Sequence, residues 1–298
     1  MGSFIEVVLG GLMAGVLYSL VALGFVLIFK ASGVFNFAQG AMVLLAALAF
    51  ARFSEKMPMP LAFILAAAMM VAVAFAIEKF VLRPLVNQEA IILFLATFGV
   101  TYFIEGFAQL VFGSEVYRLD LGLPKEPKII LESVFENGIL LNIEDLVAAA
   151  VAGGLVLFLA LFFQKTSVGR ALRAVADDHQ AAQSVGIPLN HIWVIVWAVS
   201  GIVALVAGMM WGSKLGVQFS LALVALKAIP VVILGGFTSV PGAIVGGLII
   251  GVGEKLAEVY LGPIIGGGIE NWFAYALALM FLLFRPEGLF GERHIDRV

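Results

Sequence analysis

Residues 7–29 read VVLGGLMAGVLYSLVALGFVLIF, and this stretch decides the fold class. It contains no charged residue, and about 20 consecutive apolar residues allow a helix to cross a hydrocarbon layer about 30 Å thick. Similar uncharged stretches follow along the chain: Ala31–Ala51, Met57–Ile77, Leu146–Phe163, Ile192–Ser213 and Ala228–Gly253. The sequence therefore predicts an all-α, polytopic helical membrane protein.

The composition favours the same class and excludes several functions. Of the 298 residues, 62% are hydrophobic and 12% are charged, whereas a soluble domain is about 45–50% apolar and about 25% charged. The chain has no cysteine, which excludes disulfides and thiolate metal sites. A net charge of −3 offers no basic surface for nucleic acid. No phosphate-binding loop or hydrolase motif occurs, so we expect no catalytic residue and no cofactor on this chain. We also expect no metal, because His179, His191 and His294 are scattered and show no metal-ligand spacing.

Nine apolar segments are predicted to be helical. They are Phe4–Phe29, Phe35–Phe53, Pro58–Ile77, Ala90–Phe112, Leu146–Phe163, His191–Gly212, Leu221–Leu234, Gly242–Leu256 and Gly268–Phe284. They give eight or nine membrane spans, because the second segment either crosses or re-enters. The whole chain, residues 1–298, is predicted to be one transmembrane domain with two polar segments, 114–145 and 164–190.

Pairs of glycines predict close helix packing. Four pairs have GxxxG spacing: Gly11/Gly15, Gly242/Gly246, Gly247/Gly251 and Gly262/Gly266. This spacing lets two helix backbones approach each other in lipid. We interpret the pairs as packing within the chain rather than as a subunit contact.

Basic residues predict the orientation, because short cytoplasmic loops are enriched in lysine and arginine. The cytoplasmic set is Lys30, Lys79, Arg83, Lys165, Arg170, Arg173, Arg285, Arg293 and Arg297. The opposite set is smaller: Arg52, Lys56, Lys214 and Lys255. Segment 164–190 is therefore predicted to be cytoplasmic, and segment 114–145 to face outward.

Two polar breaks interrupt the apolar pattern, one early and one late in the chain. In the first, Asn36 can cap the following helix and Gln39, just before Gly40, can reach back to it. In the second, Thr238 or Ser239 can cap a helix whose first turn holds Pro241. Such breaks in corresponding halves indicate internal repeats, possible inverted repeats among them, and mark a transporter's substrate pathway. The alternative is that both are plain turns at the membrane surface.

Two charged residues lie inside apolar segments, Glu105 and Lys227. Intramembrane charges are costly and are functional candidates. Three interpretations remain open for this pair: they bind each other, they line the substrate pathway, or they lie near an interface and extend toward water. Glu254 lies close to the end of its apolar segment and is predicted to be interfacial.

The cytoplasmic segment 164–190 contains a predicted short helix, Thr166–Ile187. Thr166 or Ser167 can cap it, and Gly186 followed by Pro188 ends it. Its apolar positions fall near one face: Leu172, Val175, Ala176, Ala182 and Val185. Such a helix either docks into a groove of a partner protein or lies on the bilayer surface.

Taken together, these motifs resemble the membrane permease subunits of ABC importers for branched-chain and other hydrophobic amino acids, the LivH type, a group that also includes urea permeases. The resemblance covers nearly the whole chain. Its markers are Asn36–Gly40, Gly169–Ala174, Gln180–Ala182, Lys227–Ala228, Leu234–Gly236, Pro241–Ala243 and Arg285–Gly291.

The resemblance implies a role for the cytoplasmic segment. Permeases of ABC importers seat an E-A-A-x-x-x-G loop in the ATPase subunit, and this chain has Gln180 in place of the glutamate. The coupling residues implied are Gly169, Arg170, Arg173, Asp177, Asp178, Gln180, Ala181, Ala182 and Gly186. The partners implied are a homologous second permease forming a heterodimer, two ATPases that bind ATP and Mg²⁺, a soluble substrate-binding protein, and the lipid of the bacterial inner membrane.

The sequence thus leads to one principal hypothesis about function and two alternatives. The principal one is the permease subunit of an ATP-driven importer for branched-chain or hydrophobic amino acids, or for a related small amide or carboxylate. The first alternative is a stand-alone secondary transporter or channel for a small polar solute, which has no need of a docking helix. An intramembrane enzyme is disfavoured by the missing catalytic groups.

Overall fold

The computed structural model describes residues 2–85, 88–130 and 138–291. Part of the predicted outward segment, residues 131–137, lies outside the described residues, as do Arg293 and Arg297. Within the described residues the chain is almost entirely helical, which confirms the predicted all-α class.

Twelve α-helices occur in the described part of the chain. In order they are α1 Gly2–Ser32, α2 Gln39–Ser54, α3 Met59–Ile77, α4 Ala90–Phe112, α5 Ile143–Lys165, α6 Ser167–Asp177, α7 His179–Ser184, α8 Leu189–Leu215, α9 Val224–Gly235, α10 Val240–Tyr260, α11 Gly262–Ile265 and α12 Phe273–Phe284. Two short antiparallel strands, β1 Pro127–Ile130 and β2 Ile139–Asn142, pair with Pro127 opposite Asn142.

All nine predicted apolar segments contain a helix, and six of these helices are long and apolar enough to cross a membrane. The six are α1, α3, α4, α5, α8 and α10. Three others are shorter: α2, α9 with its preceding 3₁₀ turn, and α12. The predicted number of spans, eight or nine, is therefore reached only when the short helices are counted.

Helical structure continues beyond Ile77, the predicted end of the third apolar segment. Helical turns continue from Glu78 to Leu85, first as a π turn and then as a 3₁₀ turn. The Glu78 carboxylate is fully buried and pairs with the Arg83 guanidinium at 2.7 Å. A buried carboxylate needs such a partner, so this ion pair keeps Glu78 inside the helical segment.

The chain divides into two compact units. The first comprises Met1–Ala22, Asp120–Leu157 and Lys227–Val298, and the second comprises Leu23–Leu119 and Phe158–Leu226. In the second unit, α2 forms the core, since every residue from Gln39 to Ala51 is buried. Helices α3, α4 and α8 pack around it.

In the first unit, α1 packs closely against α10 through glycines. A Cβ atom at Gly15 would lie 2.6 Å from the carbonyl oxygen of Gly247, and one at Gly11 would lie 2.8 Å from that of Gly251. Only glycine permits this backbone approach. The predicted intramolecular role of these two GxxxG pairs is confirmed.

Candidate functional site: two helix breaks, an ion pair and segment 164–190

The first break joins α1 to α2. α1 ends at Ser32, and Gly33 follows with φ +67°. Asn36 was predicted to cap α2, and that prediction is wrong in its position. The Asn36 Oδ1 atom accepts the Ala38 N–H at 3.1 Å, and α2 begins only after Ala38. This local turn bond competes with the helical cap, so the helix begins later than expected.

Gln39 connects the first break to two other helices of its unit. Its Oε1 atom accepts hydrogen bonds from Asn36 Nδ2 at 3.1 Å and from Ser200 Oγ on α8 at 2.7 Å. Its Nε2 atom lies against Gly24 of α1 and has no hydrogen-bond partner among the described residues. Both amide side chains are fully buried. In this conformation the predicted pathway residues Asn36 and Gln39 hold helices together.

Two further contacts hold this break at its edges. Gly40, also predicted for the pathway, has no room for a side chain because the Ala222 carbonyl lies against it. Thr97 of α4 accepts the Phe37 N–H at 3.2 Å, and its hydroxyl can donate to the Phe94 carbonyl at 2.9 Å or the Phe35 carbonyl at 3.2 Å. Thr97 was not identified from the sequence, since a single threonine in an apolar helix carries no distinguishing signal.

The second break joins α9 to α10 and matches its prediction. Ser239 is the N-cap of α10, and its Oγ atom accepts the Gly242 N–H at 3.0 Å. Pro241 lies in the first turn of α10. Gly235 and Gly242 are in direct backbone contact, so neither position has room for a Cβ atom. Thr238, the other cap candidate, is not the cap.

The segment Arg285–Gly291 binds to the second break through its backbone. The Leu289 N–H donates to the Leu234 carbonyl at 2.8 Å, and the Phe290 N–H donates to the Gly235 carbonyl at 3.2 Å. Gly236, with φ +101°, lies against Gly291. The sequence offered this segment only as a marker of resemblance, so its structural role was missed.

Lys227 forms an ion pair with Glu254. The Lys227 Nζ atom lies 2.9 Å from Glu254 Oε1, and the Glu254 side chain is 3% exposed. The Glu254 carboxylate is therefore buried within the protein, which is possible because it has an ammonium partner. Glu105 is half-buried and has no ion-pair or hydrogen-bond partner within the described ranges.

Segment 164–190 forms two helices rather than the single predicted one. Asp178 has an extended backbone, with φ −158°, and separates α6 from α7. It caps α7, since its Oδ1 atom accepts the N–H groups of Gln180 at 2.8 Å and Ala181 at 3.0 Å. Aspartate is among the strongest N-cap residues. The predicted end of the segment is confirmed, since Gly186 has φ +85° and α8 begins at Leu189.

α6 is anchored to the end of α5. Thr166 caps α6 by accepting the Gly169 N–H at 3.2 Å. Gly169 lies directly against the Phe163 carbonyl, which leaves no space for a side chain. Arg173 Nη1 donates to the same carbonyl at 2.7 Å. Gly169 and Arg173 therefore fix the angle between α5 and α6, while Arg170 is exposed.

α7 presents an exposed surface. Asp177, Asp178, Gln180, Ala181 and Gly186 are all exposed, and Val185 is 74% exposed. Of the apolar face predicted for this segment, three residues are buried and two are exposed. The buried ones are Leu172, Val175 and Ala182, and the exposed ones are Ala176 and Val185.

The family model described as the branched-chain amino acid transport system, permease component, matches residues 7–285. The chain belongs to this family. BraD of Pseudomonas aeruginosa, a high-affinity branched-chain amino acid transport system permease protein, is 27% identical over 99% of this chain and 98% of its own length. The probable branched-chain amino acid transport permease protein LivH of Methanocaldococcus jannaschii is 28% identical over 95% of this chain and 91% of its own length.

A solved structure supports the fold. PsaBC from Streptococcus pneumoniae, in complex with Fab, superposes with a TM-score of 0.50 at 13% identity, covering 93% of this chain and 91% of that chain. Identity at this level supports the fold alone. The chain is a multi-pass membrane permease component, and no group of three or more His, Asp or Glu that could hold a metal ion occurs in the described residues.

Proposed function

We propose that the chain is the membrane-spanning subunit of an ATP-driven importer of branched-chain amino acids in the bacterial inner membrane. Its partners are a homologous second permease that completes a heterodimer, two ATPases that bind ATP and Mg²⁺, and a soluble substrate-binding protein. The family and the names of its relatives support this substrate class. A related small carboxylate or amide is the broader substrate option.

The exposed surface of α7 is the observation that carries this proposal. It lies between two anchored helices: α6 is fixed to the end of α5, and α8 begins shortly after Gly186. Residues Gln180, Ala181 and Val185 are exposed on this short helix. A stand-alone transporter has no use for such a surface, whereas a permease driven by a separate ATPase needs one.

The contacts of α8 supply a route from α7 to the first break. Trp193 Nε1 on α8 donates to the Ala31 carbonyl near the end of α1 at 3.0 Å. Further along α8, Ser200 donates to Gln39 at 2.7 Å. When the ATPase dimer closes and displaces α7, the shift of α8 reaches both sides of the first break. This is how we expect ATP binding to change access to the pathway.

Co-purification with the ATPase tests this function. Val185→Glu places a charge on the exposed surface of α7 without touching the core, so we expect the ATPase to be lost from the complex while the thermal stability of the subunit is unchanged. The control is Ile129→Glu on β1, where an isoleucine that is 52% exposed receives the same charge. Ala182→Glu is unsuitable, because Ala182 is buried. Retention of the ATPase by Val185→Glu contradicts the proposal.

A further inference from the structure

The ion pair of the first unit contains the carboxylate of Glu254, which takes no part in the route from α7 through α8 to the first break. Glu254 on α10 is almost completely buried and receives two donors: the Lys227 ammonium at 2.9 Å and the Tyr18 hydroxyl of α1. Three helices, α1, α9 and α10, thus meet at one carboxylate. Both donors to this carboxylate come from within the first unit.

The lysine of this pair is less completely engaged. The Lys227 side chain is 32% exposed, and an ammonium has three N–H donors. Glu254 takes one of them, and the described part of the chain supplies no other hydrogen-bond partner to Lys227. The Lys227 ammonium therefore keeps donors for a further ligand.

A lipid chain is a poor match for these remaining donors. A lysine near lipid extends its ammonium toward the interface, but Lys227 is held by a buried carboxylate on a neighbouring helix. Hydrocarbon around a charged group is costly. α9 is also a short helix of 12 residues that ends at the second break, and discontinuous helices of this kind form the substrate sites of transporters.

We propose that the Lys227 ammonium binds the α-carboxylate of the amino acid as it crosses the membrane, and that Glu254 and Tyr18 are positioning residues that hold the ammonium in place. This inference rests on the proposed function, since it names the group that meets the substrate. The contact is a charge-assisted hydrogen bond.

The charges of the pair suit transport rather than tight binding. A zwitterionic amino acid is neutral overall, and so is the Lys227–Glu254 pair, so loading and unloading leave no net charge in the membrane. Glu254 also shares the positive charge of Lys227, which limits how strongly the substrate carboxylate is held. Release after each cycle follows from this competition.

Cysteine accessibility tests where Lys227 lies, because the native chain contains no cysteine. Lys227→Cys in the complete complex should react with the anionic, membrane-impermeant reagent methanethiosulfonate ethylsulfonate, and leucine-loaded binding protein with ATP should slow the reaction. Two controls in the same unit should stay unreactive. They are Ala228→Cys, which is fully buried, and Leu279→Cys, an exposed apolar position on α12.

Leucine uptake by the complete complex in proteoliposomes shows whether Lys227 binds the substrate or only forms a structural ion pair with Glu254. Lys227→Gln should lower the uptake rate about tenfold or more, the loss expected when a hydrogen bond to a charged group is removed. Lys227→Arg should retain part of the rate. The double variant Lys227→Gln/Glu254→Gln removes the unpaired buried charge, so it should restore thermal stability without restoring uptake.

Two results would overturn the inference. One is a Lys227→Cys thiol as unreactive as the two controls, and the other is a double variant that takes up leucine at the native rate. In both cases the native complex still imports leucine, so the proposed function stands. If the native complex itself moves no branched-chain amino acid, the proposed function fails instead.

Discussion

The two helix breaks are held in different ways. In the first, buried side-chain amides make the connections: Asn36 bonds Gln39, and Gln39 bonds Ser200 on α8. In the second, the backbone makes them: the segment Arg285–Gly291 pairs with the end of α9, and glycines allow direct contact between α9 and α10.

This difference indicates that the two breaks have different mechanical roles. Side-chain hydrogen bonds can exchange partners when a helix shifts. Gln39 is hydrogen-bonded to α8, the helix that follows α7 along the chain. Backbone contacts between glycines leave no room for adjustment. We therefore expect the first break to move with α8, and the second to act as a rigid support for Lys227 and Glu254.

The largest effect is expected at the glycine contact of the second break. Gly242→Ala forces a Cβ atom onto the Gly235 carbonyl, and overpacking against backbone should cost about 3 kcal/mol of stability. Thermal unfolding of the purified protein measures this loss. The control is Gly10→Ala in the same unit, where nothing lies within 4 Å of the added atom. If both variants unfold at the same temperature, the second break is not rigid.

A smaller effect is expected at the first break. Gln39→Leu leaves the Asn36 amide and the Ser200 hydroxyl without their acceptor, which should cost about 2 kcal/mol. Ser200→Ala should cost less, about 1 kcal/mol, because Gln39 keeps its bond to Asn36. Thermal unfolding together with uptake by the complete complex distinguishes the two. Uptake should fall in both variants by more than the loss of stability explains. Unchanged uptake would show that the hydrogen bond between Gln39 and Ser200 does not transmit the shift of α8 to the first break.

The smallest effect is expected from the cap of α10. Ser239→Ala removes the acceptor for the Gly242 N–H, and such cap losses cost about 1 kcal/mol. Ser239→Gly should cost only a few tenths of a kcal/mol by the same measurement. Uptake should not change in either variant, because the cap serves only the support. A transport defect in Ser239→Ala would indicate that the second break also moves during transport.

How far the sequence predicts each break depends on how local its contacts are. The cap of α10 was predictable, because Ser239 and Pro241 carry their signal within one turn. The role of Gln39 was not, since its partner Ser200 lies 161 residues away along the chain. The local bond from Asn36 to Ala38 also displaced the expected helix start.

Two other features escaped the sequence analysis for physical reasons. The burial of Glu254 against Lys227 was not predicted, because the two residues lie on different helices and the sequence gives no distance between them. Segment 164–190 was predicted to contain one helix because alanines favour helix, yet Asp178 separates this helix into α6 and α7. Aspartate is a strong N-cap residue, so Asp178 was the signal in the sequence for the start of a second helix.

ATP-dependent uptake tests the central claim most directly, namely that work done on a separate ATPase reaches the membrane helices through α7. Proteoliposomes with the complete complex and leucine-loaded binding protein should accumulate leucine only when ATP is present inside. Liposomes holding this chain alone, or a complex carrying Val185→Glu, should accumulate none. Accumulation at the native rate by the chain alone would contradict the account.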